Sequence, residues 1–115
     1  MTIWKVASVP EQPELVLKRW RAYEVEDLRF LVGWNATDGE GRVSTYVASF
    51  DPALRRVETG SGRVYKLSGP PGHDNDADYT WTRWKRMHGV SDVRDVTDEV
   101  WSAILAASDK NAGKN

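Results

Sequence analysis

The sequence predicts a single α+β domain, in which a curled antiparallel meander sheet of roughly four to six strands precedes two helices packed on one of its faces. Three observations lead there. Stretches of β-branched and aromatic residues alternating with polar ones fill positions 15 to 68, whereas helical periodicity with capping residues starts only after Gly72. Turn-forming Gly, Pro, Asn and Asp clusters separate the strand stretches at short intervals. The chain has 115 residues, enough for one core and too few for two. The domain is assigned to residues 1–108, and 109–115 to a polar, disordered tail.

Taken in order, Ile3 to Ser8 reads as a short strand or an arm, and Pro10 and Pro13 then interrupt any regular pairing. Leu15 to Val25 has apolar residues on both alternating faces and neither face clean, which predicts a long strand with a bulge or bend. Glu26-Asp27 is a tight turn. Leu28, Phe30, Val32 and Trp34 alternate with Arg29, Leu31 and Gly33 as a half-buried strand. Asn35 to Gly41 is a loop, and Arg42 to Phe50 a third strand closed by an Asp51-Pro52 turn. Arg55–Thr59 and Arg63–Ser68 form a hairpin about Gly60-Ser61-Gly62.

Ala77 to His88 is helical, with acids before it, Arg83, Lys85 and Arg86 near its end, and Gly89 as C-terminal cap. A second helix spans Thr97 to Ala107. Thr97 is its expected N-cap, with Asp98 and Glu99 in the first turn and an apolar stripe of Val100, Trp101, Ile104 and Leu105. The expected core comprises Trp20, Phe30, Val32, Val47, Leu67, Trp81, Trp84, Trp101 and Leu105.

Composition narrows the function classes. With 40% apolar and 29% charged residues the chain is ordinary globular material, but six Trp are an excess on which a small core can rest. Having no cysteine, the chain excludes disulfides, Cys-ligated zinc and thiol chemistry. No basic start with a long apolar run is seen, nor any stretch able to span a bilayer, so a cytoplasmic protein without membrane contact is expected. The net charge of −1 favours neither a nucleic-acid binder nor an acidic mimic. Its distribution is uneven: Arg42, Arg55, Arg56, Arg63 and Lys66 meet only Asp51 and Glu58, whereas Asp92, Asp95, Asp98, Glu99 and Asp109 meet only Arg94.

The run Thr59-Gly60-Ser61-Gly62-Arg63-Val64-Tyr65-Lys66-Leu67-Ser68-Gly69-Pro70-Pro71-Gly72 is the most distinctive segment. Together with Gly41-Arg42-Val43-Ser44-Thr45 before it, and Trp81 and Trp84 after it, it resembles a family of small uncharacterised bacterial proteins, proteobacterial and associated with plasmids and prophages. The resemblance spans Trp20 to Trp84 and implies no activity. Its association with mobile elements implies host-interaction roles, such as anti-restriction or other anti-defence functions.

Each chemical motif has a simpler reading. His73-Asp74-Asn75-Asp76-Ala77-Asp78 begins like a calcium loop, but Tyr79 stands where the turn glycine belongs and Lys85 where the bidentate Glu belongs. Acids capping a helix explain it, and no metal is expected. His73 and His88, the two histidines, lie in no hydrolase motif, and no catalytic residue or cofactor is assigned. Gly60-Ser61-Gly62-Arg63 lacks the following helix and lysine of a phosphate loop. Arg42, Tyr46, Arg55, Arg56, Arg63, Tyr65 and Lys66 from the strands, with Trp81, Arg83, Trp84, Lys85 and Arg86 from the helix, interleave arginines and aromatics as a nucleic-acid-binding sheet face does. The expected function is nonetheless a non-enzymatic module that binds a protein, through a surface around Arg42, Arg55, Arg63 and Tyr65.

Overall fold

The computed structural model describes residues 14–112, and the side chains of 14–108 among them. The expectation for Ile3 to Ser8 lies outside the described residues. The elements are β1 (Glu14–Val25), β2 (Leu28–Asn35), β3 (Glu40–Val43), β4 (Val47–Asp51), β5 (Arg56–Thr59), β6 (Val64–Ser68), α1 (Asn75–Met87), β7 (Arg94–Asp95) and α2 (Thr97–Ala112). This is the α+β fold expected, with three corrections to its details.

The first correction concerns strand pairing. The sheet order is β3-β2-β1-β6-β5-β4, with β7 paired to β1 off that path, so the sheet is seven-stranded and mixed. All pairings are antiparallel except β1 with β6. Curling produces the exception. β3 and β4 end the path on opposite sides, yet Ser44, Thr45 and Tyr46 alone join them. Those residues can span at most about 14 Å, whereas a flat sheet would separate its outer strands by about 24 Å. The expected strand Arg42–Phe50 is therefore one extended path broken at 44–46. Its first half pairs with β2 and its second with β5. Counted that way the meander has an odd number of runs, so its first and last point the same way and meet in parallel. No ladder joins β3 to β4, and the sheet stays open.

The bulge expected in the first strand sits where Arg19 and Trp20 together oppose Gly33, with Arg19 at φ 46°. It shifts the alternation by one: Leu15 and Leu17 before it, and Trp20 and Ala22 after it, all enter one cluster. Gly33 is required there, because a Cβ would lie 2.9 Å from Leu17 Cγ and 3.0 Å from the Trp20 Cα.

The second correction concerns the helices, which lie on opposite faces. Leu31 packs with Trp20, Leu67, Val57 and Tyr65 and receives Val96, Val100 and Ile104 from the α2 region. Its neighbours Phe30 and Val32 pack instead with Ala77 and Trp81 of α1. Successive strand residues point to opposite faces, so α2 fills the concave side while α1 covers the convex side of β1, β2 and β3.

Thirdly, α2 is rotated and longer than expected. Val96, Val100 and Ile104 are buried, Trp101 is half-buried, and Leu105 is 45% exposed. Its backbone stays helical to Ala112. Thr97 does not cap; its hydroxyl accepts from Ala22 N and donates to Ala22 O, tying the helix start to β1. Asp95 accepts the Thr97 N–H at 2.9 Å instead. Of the expected core, Trp20, Phe30, Val32, Leu67 and Trp81 are buried, while Val47 and Trp84 are partly so.

Candidate functional site

The four residues expected to form a binding surface are divided by the fold. Tyr65 is 2% exposed within the concave cluster, so it belongs to the core and offers a partner nothing. Arg42 is bound by Glu40 at 2.8 Å and reaches the Tyr65 hydroxyl. Burial would lower the pKa of its guanidinium, but Tyr65 and Glu40 outweigh burial and hold it above the ordinary value. Arg55, at φ 56° in the turn between β4 and β5, places its guanidinium 5.5 Å from the Trp101 ring centre and donates to Gly69 O. Arg63 lies at the Gly60-Gly62 hairpin, where its carbonyl accepts the Thr59 N–H and hydroxyl. Arg42 is thus engaged by Glu40 and Tyr65, and Arg55 by Trp101 and Gly69.

Asp95 and Glu99 of the acidic end are likewise tied in. Arg29 and Arg94 bridge Glu24 and Glu99 in a closed ring with contacts of 2.8 to 3.9 Å, linking β1, β2, β7 and α2. Asp95 meets Arg21 at 2.8 Å. Burial raises its pKa, but hydrogen bonds from Arg21 and Thr97 prevail and leave it below the usual carboxylate value.

The Asp74–Asp78 run behaves as a helix start. Asp74 accepts the Ala77 N–H, Asp76 accepts the Gly41 N–H at 2.6 Å, and Asp78 faces His73 at 3.2 Å. A Cβ at Gly41 would strike the Ala77 nitrogen, so the glycine lets β3 and α1 touch. At the other end Gly89, at φ 63°, completes a Schellman cap through Val90 N to Lys85 O and Gly89 N to Arg86 O.

Between those caps α1 has two unlike sides. Toward the sheet, Trp81 stacks on Tyr23 at 4.9 Å, then on Trp84 at 5.1 Å, and Trp84 on His88 at 4.3 Å. The aromatic column thus climbs from the core to the surface. His88 Nδ1 lies 2.9 Å from Trp84 O, which fixes the outer ring. Away from the sheet, Tyr79 is 62% and Met87 75% exposed. Thr80, Arg83, Trp84, Met87 and His88 line an open, largely apolar slot of about 170 Å³. Arg83 lies over the Tyr79 ring at 5.9 Å and Lys85 over Trp81 at 5.7 Å. Among the described residues, Arg83, Lys85 and Arg86 have no carboxylate partner.

Sequence reasoning assigned Trp81 and Trp84 to the core and set Arg83, Lys85 and Arg86 beside them in the nucleic-acid reading, but left out Tyr79 and Met87. The available signal was Tyr79, Arg83 and Met87 at i, i+4 and i+8, which marks a second stripe beside the core-facing one. Among the described residues, no helix is long and apolar enough to cross a membrane. Neither a protein-family model, nor a curated protein, nor a solved structure matches this chain.

Proposed function

We propose that this chain is a non-enzymatic binding module whose partner is a protein, and that the partner docks on the outer face of α1. The observation that carries this reading is the exposure of Met87 beside the half-buried Trp84, with Tyr79 exposed two turns earlier on the same stripe of α1. Large apolar side chains grouped around an aromatic wall are where binding energy concentrates, and Met adapts to a partner's shape. A cytoplasmic setting belongs to the same proposal, since the chain carries no cysteine. So does an anti-restriction or other anti-defence role, as implied by the resemblance to mobile-element proteins, because such a role is exercised by binding. The strand half of the nucleic-acid reading called for an exposed sheet face of arginines and aromatics. Burial of Tyr65 and the engagement of Arg42 and Arg55 count against it.

The test is affinity recovery from lysate with and without nuclease, comparing wild type with Tyr79→Ala/Met87→Ala and with Arg42→Glu/Arg63→Glu. A protein recovered by wild type and by the arginine variant, resistant to nuclease and lost in the α1 variant, supports the proposal. Recovery abolished by nuclease moves the function to nucleic acid. Recovery lost only in the arginine variant returns the site to the β3 and β6 region.

A further inference from the structure

We infer that the occupant of the α1 slot is an acidic segment of the partner protein that carries one apolar anchor residue; this rests on the protein-binding reading above. The slot volume of about 170 Å³ is close to the ~150 Å³ that accommodates a benzene-sized group. It therefore takes one aliphatic or aromatic side chain and is too small for a cofactor-sized ligand.

Charge supplies the second argument. Arg19, Arg21, Arg29, Arg42, Arg56 and Arg94 each have a carboxylate within 3.9 Å. Arg83, which lines the slot, and Arg86, one turn further along α1 and outside the lining, have none among the described residues. Lys18, Arg55, Lys66 and Lys85 share that condition, but none of them lines the slot. A partner covering Arg83 and Arg86 strips their water, which is unfavourable unless it brings negative charge. The helix dipole accounts for basic residues in the last turn of α1, but Arg83 stands before that turn. From Tyr79 to Met87 the face is about 12 Å long, the reach of two helical turns or four extended residues. A short linear segment satisfies both the slot and the cations.

The experiment pans a displayed library of random 12-residue peptides against the intact protein, then measures synthesised winners by fluorescence anisotropy. The expected winners carry Asp or Glu around a Leu, Phe or Trp. Met87→Ala and Arg83→Glu/Arg86→Glu should each weaken them by about tenfold or more, with melting temperatures unchanged. Neutral or basic winners, lost in Met87→Ala yet unchanged in Arg83→Glu/Arg86→Glu, overturn the acidic occupant and leave the protein-binding face standing. Winners indifferent to both variants overturn the occupant and the face together. Failure to enrich any peptide overturns a short linear segment. A random 12-nucleotide single strand that outcompetes every peptide, and is lost in Arg83→Glu/Arg86→Glu, overturns it in favour of nucleic acid.

Discussion

The two helices receive similar raw material and use it oppositely. α2 commits Val100 and Ile104 to the concave core beside the preceding Val96, and Arg29 and Arg94 neutralise its Glu99. α1 commits Ala77 and Trp81, yet leaves Tyr79 and Met87 in water and its late cations without carboxylates among the described residues. On α2, Leu105 is the one large apolar side chain left exposed among the described side chains. Helix α1 is fastened by its caps and by its inner face, which leaves the outer face free to meet something else. Its aromatic column transmits that fastening: Trp84 is held from below by Trp81 and from above by His88. A wall fixed in advance loses little conformational freedom on docking.

The largest expected effects fall on the core. Trp20 is fully buried, meets Trp101 edge-on at 6.1 Å and donates to Gly69 O. Trp20→Ala should cost about 3–5 kcal/mol in chemical denaturation. Within α2, Ile104→Ala should cost about 2–4 kcal/mol whereas Leu105→Ala should stay within about 0.5 kcal/mol. Equal losses at the two positions would mean that α2 is rotated from the orientation described.

Gly33→Ala is expected to cost about 1–3 kcal/mol, because the bulge of β1 must shift to admit the methyl. A neutral result would place the bulge elsewhere. Smaller still is the acid dependence carried by Asp95. Its pKa is lowered on folding, so its stabilisation is present above the unfolded value near 3.8 and is lost as pH falls through the folded value. Asp95→Asn should flatten that part of the melting-temperature profile below about pH 4. An unchanged acid limb would show that the pairing with Arg21 contributes nothing there. On α1, Tyr79→Ala and Met87→Ala should each change stability by less than about 0.5 kcal/mol while abolishing partner recovery.

Local chemistry made much of the fold legible. The mixed faces of Leu15–Val25 announced the bulge, Gly60-Ser61-Gly62 the hairpin, and Gly89 the end of α1, whose start at Asn75 lies two residues before the expected Ala77. What stayed hidden was long-range. The alternation of Arg42 to Phe50 runs across the break at Ser44, so nothing local signals that the path changes neighbours. The parallel β1/β6 pairing follows from closure of the meander and leaves no mark in either strand. Leu105 was assigned inward because a stripe of Val100, Trp101, Ile104 and Leu105 is as helical as one of Val96, Val100 and Ile104. The choice between them is made by Thr97, whose hydroxyl pins the helix start to Ala22. The candidate site was least legible. Arg42, Arg55 and Arg63 were chosen by charge density along the chain, and the fold gives the first to Glu40 and Tyr65 and the second to Trp101.

Two exposed apolar side chains on the two helices offer the most direct test: Met87, 75% exposed on α1, and Leu105, 45% exposed on α2. A photo-crosslinking amino acid is placed at position 87 in one variant and at position 105 in another, and each is irradiated in intact cells. The account predicts a discrete protein adduct from position 87 that disappears with Arg83→Glu/Arg86→Glu, and none from position 105. Adducts from position 105 alone, or adducts from both positions that persist in the arginine variant, would contradict it.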